Sequence, residues 1–183
     1  MSKTIVVYHS GYGHTRRVAE HVAEGASGEL LAIDAEGNLP DGGWEKLAAA
    51  DAIIFGTPTY MGGPSWQFKK FADASSKPWF SQLWRDKLAA GFTNSATLNG
   101  DKGSTLGYLF TLSQQHGMLW TGIGMKAPNH KAATRDDLNH LGGYAGLITV
   151  TPSDASPDEM VPGDLATARA FGRRVAEVAA RLA

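Results

Sequence analysis

Residues 3–17 read KTIVVYHSGYGHTRR. An unbroken apolar run, Ile5 to Tyr8, passes directly into a polar loop interrupted by Gly11 and Gly13. A strand without alternation of polar and apolar residues is buried on both faces, as in a parallel sheet. The loop has no lysine, but it holds Ser10, Thr15 and the two glycines. Glycine lets backbone amides come close to a ligand. The free amides that open the following helix attract an anion. An ordinary strand-to-helix turn shares this outline, so the rest of the chain has to decide between the two.

The alternation continues along the chain. Strand one spans Lys3 to His9, and a helix from about Gly13 to Ala26 places Val18, Val22 and Ala26 on one face. Strands are expected at Glu29–Ile33, Ala52–Phe55, Lys87–Phe92 and Leu119–Gly124. Helices are expected at Trp44–Ala50, at Pro64–Ser75 with Pro64 in the first turn, at Ser104–Gln115 with Leu106, Leu109 and Phe110 inward, and at Leu165–Leu182. Residues 126–143 read as a long polar loop. Apolar strands that each feed an amphipathic helix imply an α/β fold with helices on both faces of a parallel sheet, joined by right-handed crossovers. Ligands of such sheets bind beyond the carboxyl ends of the strands, where the strand order switches.

Three loops are expected to meet there. The first, Ser10–Thr15, suits a single terminal phosphate. His14-Thr15 is not the Gly-Lys-Ser/Thr of nucleotide triphosphatases, and Arg16 stands where a dinucleotide fingerprint has its third glycine. The second, Thr57–Gly63, sets Tyr60, Met61 and the nearby Trp66 where they can cover a flat ring or plug the sheet edge. The third, Thr93–Gly103, offers amides with Thr93, Asn94 and Ser95 for the edge of a heteroaromatic. Lys102 can favour negative charge there, although a solvated surface loop reads equally well.

Composition narrows the classes. The chain has 183 residues, 43% of them hydrophobic, which suits one domain over residues 1–183. A net charge of −1 gives no field for nucleic acid or an anionic membrane. There is no cysteine, so disulfides and thiol chemistry are excluded. His9, His14, His21, His116, His130 and His140 follow no metal-ligand spacing, so no metal is expected. No run approaches the roughly 20 apolar residues of a membrane span, so no membrane insertion is expected. The N-terminus has no signal-peptide pattern, and the expected location is the cytoplasm. His116, in Gln114-Gln115-His116-Gly117, reads from its neighbours as a helix cap.

Four segments, YHSGYGHT, IIFGTPTYMGG, QQHGM and GGYAG, resemble in order and spacing the flavodoxin-like NAD(P)H:quinone oxidoreductases, the tryptophan-repressor-binding-protein family. The likeness runs from Lys3 to about Val150. It implies a flavodoxin-like doubly wound five-stranded sheet of order 2-1-3-4-5. It implies FMN as cofactor, NADH or NADPH as co-substrate, a quinone as acceptor, and a homodimer or homotetramer. Ser10, Gly11, Tyr12, Gly13, His14 and Thr15 look like the FMN phosphate loop. Pro58, Thr59, Tyr60, Met61 and Gly62 look like one isoalloxazine loop, and Thr93, Asn94, Ser95, Ala96, Gly100, Lys102 and Gly103 like the other. His116 aligns with a histidine that reaches the flavin and is the expected catalytic residue. Tyr12 and Trp79 fall at the nicotinamide and quinone site. The family pattern Thr-Arg-Phe-Gly is here Thr59-Tyr60-Met61-Gly62. A one-electron flavodoxin, an FMN reductase and a domain for some other phosphate ligand are the competing readings. Nothing in the residues supports binding to a repressor or to DNA.

Overall fold

A computed structural model describes residues 2–182; Met1 and Ala183, the ends of the domain expected over 1–183, lie outside the described residues. In chain order the elements are β1 (Thr4–Tyr8), α1 (His14–Ala26), β2 (Glu29–Ala32), α2 (Gly43–Ala48), β3 (Ala52–Tyr60), β4 (Gly63–Pro64), α3 (Trp66–Ala74), α4 (Ser76–Phe80), β5 (Leu88–Ser95), α5 (Lys102–Gln115), β6 (Leu119–Trp120), β7 (Leu147–Val150) and α6 (Pro162–Leu182). The sheet runs β2-β1-β3-β5-β6, all parallel, with β7 also beside β5. β4 only folds back on β3. Counting the principal strands alone, this is the expected order 2-1-3-4-5.

Successive residues of β1 point to opposite faces, as a strand's period of two requires. Val6 and Tyr8 join α1 and α6 residues such as Val18, Val22, Phe171 and Val175. Ile5 and Val7 join a second core under α2, α3 and α5, with Phe55, Phe68, Phe71, Trp84 and Leu109. Trp84 is wholly buried there and belongs to the core. Burying each such aliphatic or phenyl group contributes roughly 1.5–3 kcal/mol. Among the described residues no helix is long and apolar enough to cross a membrane.

Several local expectations are corrected. β3 and β5 extend past their expected ends, to Tyr60 and Ser95, so much of the second and third "loops" is strand. β3 turns into β4 through Met61 and Gly62, both at positive φ (49° and 77°), a tight two-residue hairpin. Pro64 therefore lies in β4, and Ser65 caps α3 by accepting from the Phe68 amide. Phe110 is exposed and packs edge-on against Trp120 rather than facing inward. The fifth strand is split. β6 pairs with Leu88 and Ala89, and β7, after a long insertion, pairs with Phe92 to Ser95.

Candidate functional site

Beyond the carboxyl ends of β1, β3 and β5 lies a crevice that opens to solvent. Tyr12, His14 and Thr15 line it from the first loop, and Pro58, Thr59 and Tyr60 from the end of β3. Asn94, Ser95 and Ala96 line it from the end of β5. Its remaining wall, Thr151 and Ser153, was not foreseen. Those two residues follow β7, whose apolar run Leu147–Val150 directly before a Thr-Pro-Ser turn was the only sequence signal for them.

The first loop offers donors that an anion could use. The N-cap of α1 is Gly13, whose φ of 94° a side chain resists, and no side chain caps the helix. Its first-turn amides thus have no partner within the helix. Ser10 Oγ accepts from the Gly13 amide at 3.1 Å, which closes the loop on itself. The buried His14 donates from Nε2 to the Ala155 carbonyl at 2.7 Å, tying the loop to the segment after β7. The phenol of Tyr60 lies across Gly11, and its ring meets that of Tyr12 edge-on at 6.3 Å. Burial raises the Tyr60 pKa, so the phenol stays protonated.

The walls are pinned from behind. Thr59 shares hydroxyl hydrogen bonds of 2.8 Å with Thr93 and with Thr105. Thr93 itself is wholly buried and supports the wall without lining the crevice. Asn94 Oδ1 accepts from the Thr149 and Thr151 hydroxyls at 2.8 and 3.0 Å. An oxygen so engaged leaves the Asn94 amide nitrogen as the free donor. Under the first two loops, Ser65 Oγ joins His9 Nδ1 at 2.8 Å, and the Ser65 amide donates to Thr57 Oγ1 at 3.1 Å.

Other expected residues fall elsewhere. Met61 and Gly62 form the hairpin tip, with Met61 fully exposed. Gly100 packs on Ser95, and Lys102 is buried behind it. Gly103 is exposed in the first turn of α5. His116 is not brought to the crevice of its own chain. It stands at the far end of α5, and 14 residues at 1.5 Å each put it about 20 Å from Lys102. There it is a buried C-cap whose Nε2 meets Ser75 Oγ at 2.8 Å. Trp79 and His116 share a separate hollow with Ser75, Ser76 and Gln115.

Comparison with known proteins places this geometry in context. The profile of NADPH-dependent FMN reductases matches residues 43–144. The chain is 50% identical to flavodoxin FldP of Pseudomonas aeruginosa over 182 residues, which span 100% of this chain and 99% of the relative. It is 37% identical to an NAD(P)H dehydrogenase (quinone) of Geotalea uraniireducens, which spans 99% of each chain. The crystal structure of a WrbA-like flavodoxin from Agrobacterium tumefaciens superposes with a TM-score of 0.82 at 57% identity, covering both chains fully.

Proposed function

The chain belongs to the flavodoxin-like family that holds the NADPH-dependent FMN reductases and the NAD(P)H dehydrogenases (quinone), and from that premise we propose that it is an FMN-dependent NAD(P)H:quinone oxidoreductase. One observation carries the reading. The ends of three parallel strands converge on a single crevice at an uncapped helix N-terminus.

The residues present fit FMN. The Ser10–Thr15 loop holds the phosphate through free amides, the Thr15 hydroxyl and the α1 dipole. Pro58, Thr59 and Tyr60 from the end of β3, and Asn94, Ser95 and Ala96 from the end of β5, would hold the ring. The Asn94 amide nitrogen would be the donor offered to the ring, since its oxygen is held by Thr149 and Thr151. FMN supplies hydride acceptance from NAD(P)H and two-electron delivery to a quinone. Donors fixed before reaction stabilise charge developing at the ring without reorganising. Tyr12 and Tyr60 shape the mouth, where nicotinamide and quinone take turns at one face, which gives ping-pong kinetics.

Trp79 and His116 reach a substrate only if a second copy brings its α4 face to this crevice. The chain is accordingly read as a homodimer or homotetramer, with Trp79, Phe80 and Leu83 supplying exposed apolar surface. Steady-state kinetics with varied NADH or NADPH and varied benzoquinone test the reading. Parallel double-reciprocal lines support it, and intersecting lines contradict the shared face.

A one-electron flavodoxin is the second reading, and the 50% identity to flavodoxin FldP favours it. Such a carrier, once loaded with FMN, takes electrons from a protein partner and is not reduced directly by NAD(P)H.

A further inference from the structure

We propose that Lys102 sets the charge of the crevice, acting on bound FMN through the Ser95 hydroxyl and favouring the reduced over the oxidised flavin; the proposal rests on the FMN reading above. Lys102 is 1% exposed, yet it carries an ammonium. Its Nζ donates to Ser95 Oγ at 2.7 Å and to the Thr97 carbonyl at 2.6 Å, both neutral oxygens. The carboxylate whose field reaches it, Asp164, is already engaged with Arg135 at 2.8 Å and with the Val150 amide at 2.9 Å. Lys102 is also the first residue of α5, and a helix N-terminus repels a cation.

Buried charges are ordinarily paired. This one has two dipoles and no carboxylate in contact among the described residues. An anionic ligand edge in the crevice supplies the missing counter-charge. Ser95 is the route to it, because Ser95 lines the crevice and also accepts from Lys102. Its own hydrogen goes to the Thr97 carbonyl over a long 3.2 Å, so it can turn to a better acceptor in the crevice.

The loop holds that hydroxyl in place. Gly100, at φ 52°, folds onto Ser95 so closely that a Cβ there would stand 2.1 Å from Ser95 Oγ. Burial lowers the Lys102 pKa to about 8, and the group is still mostly protonated at neutral pH. Reduced flavin carries more negative charge at its pyrimidine end than oxidised flavin. A cation one hydroxyl away, itself buried, stabilises the reduced form more.

Lys102 is thus a positioning residue, and the readout is a potential. Anaerobic redox titration against a reference dye is run on FMN-loaded wild type, Lys102→Met, Lys102→Arg, Ser95→Ala and the Lys102→Met/Ser95→Ala double variant. Lys102→Met is expected to lose about tenfold in preference for reduced flavin, about 30 mV for a two-electron couple. Lys102→Arg keeps the wild-type potential, and the double variant falls no further than Lys102→Met. An unchanged potential in Lys102→Met overturns the proposal. An equal fall in Lys102→Arg also overturns it, because packing rather than charge is then at work. Wild type that takes up no FMN overturns the FMN reading and the proposal together.

Discussion

The imidazole of His116 lies against the indole of Trp84, with ring centroids 4.2 Å apart and both side chains buried. Ser75 Oγ donates to the Ala72 carbonyl at 2.6 Å, so toward His116 it accepts. The proton of the neutral ring is therefore on Nε2, and Nδ1 is left without a partner among the described residues. Burial lowers the His116 pKa to about 4.

That geometry fixes an acid limb of stability. Between pH 4 and about 6.5 the unfolded chain holds a proton on His116 that the folded chain refuses, so stability is complete above 6.5 and falls as pH drops toward 4. The full loss is roughly 3 kcal/mol. His116→Gln keeps an N–H for Ser75 and removes the titration. Urea unfolding at several pH values should show a flatter acid limb in the variant. Identical slopes in both proteins would contradict the assignment.

Two glycine substitutions should part company. A Cβ on Gly172 would stand 2.0 Å from the Val22 carbonyl, where α6 meets the backbone of α1. Gly172→Ala should destabilise the fold by about 2 kcal/mol or more, because neither backbone can yield cheaply. A Cβ on Gly11 would instead meet the tip of the Tyr60 side chain, 2.6 Å away. Gly11→Ala should leave unfolding within about 1 kcal/mol but weaken FMN binding, and Tyr60→Phe should restore much of that binding. Fluorescence titration of FMN beside urea unfolding reads both effects.

Asn94 separates wall stability from ligand binding. Asn94→Leu strips two buried hydroxyls, Thr149 and Thr151, of their acceptor, at roughly 1–3 kcal/mol each. Asn94→Asp retains an acceptor for both but replaces the amide donor with charge. It should unfold nearer to wild type and yet bind FMN at least about tenfold more weakly, about 1.4 kcal/mol. Wild-type affinity in Asn94→Asp would remove the amide from the site.

Much of this was legible in the residues. Ile5 to Tyr8 and Ile53 to Phe55 declare buried strands by lacking alternation, and Val18 and Val22 declare a helix by their phase. The crevice followed from the topology. The split fifth strand was hidden because β6 is only two residues long and β7 follows an insertion longer than many helices, so neither run stands out. Thr151 and Ser153 were hidden with it. Pro58 and Thr93 to Ser95 read as loop because polar residues and proline mimic one. The sheet tolerates the polar ones because Thr93, Asn94 and Ser95 find hydrogen-bond partners within the fold. The cap reading of His116 holds, but a motif gives order along the chain and not distance, and α5 carries His116 away from the crevice of its own chain.

The central claim is tested most directly by loading the pure protein with FMN, removing oxygen, adding NADH or NADPH, and following the visible absorption of the flavin. The account predicts rapid, complete bleaching in a single step, restored by one equivalent of benzoquinone. Flavin that binds but stays oxidised would contradict it and leave a carrier that needs a protein donor.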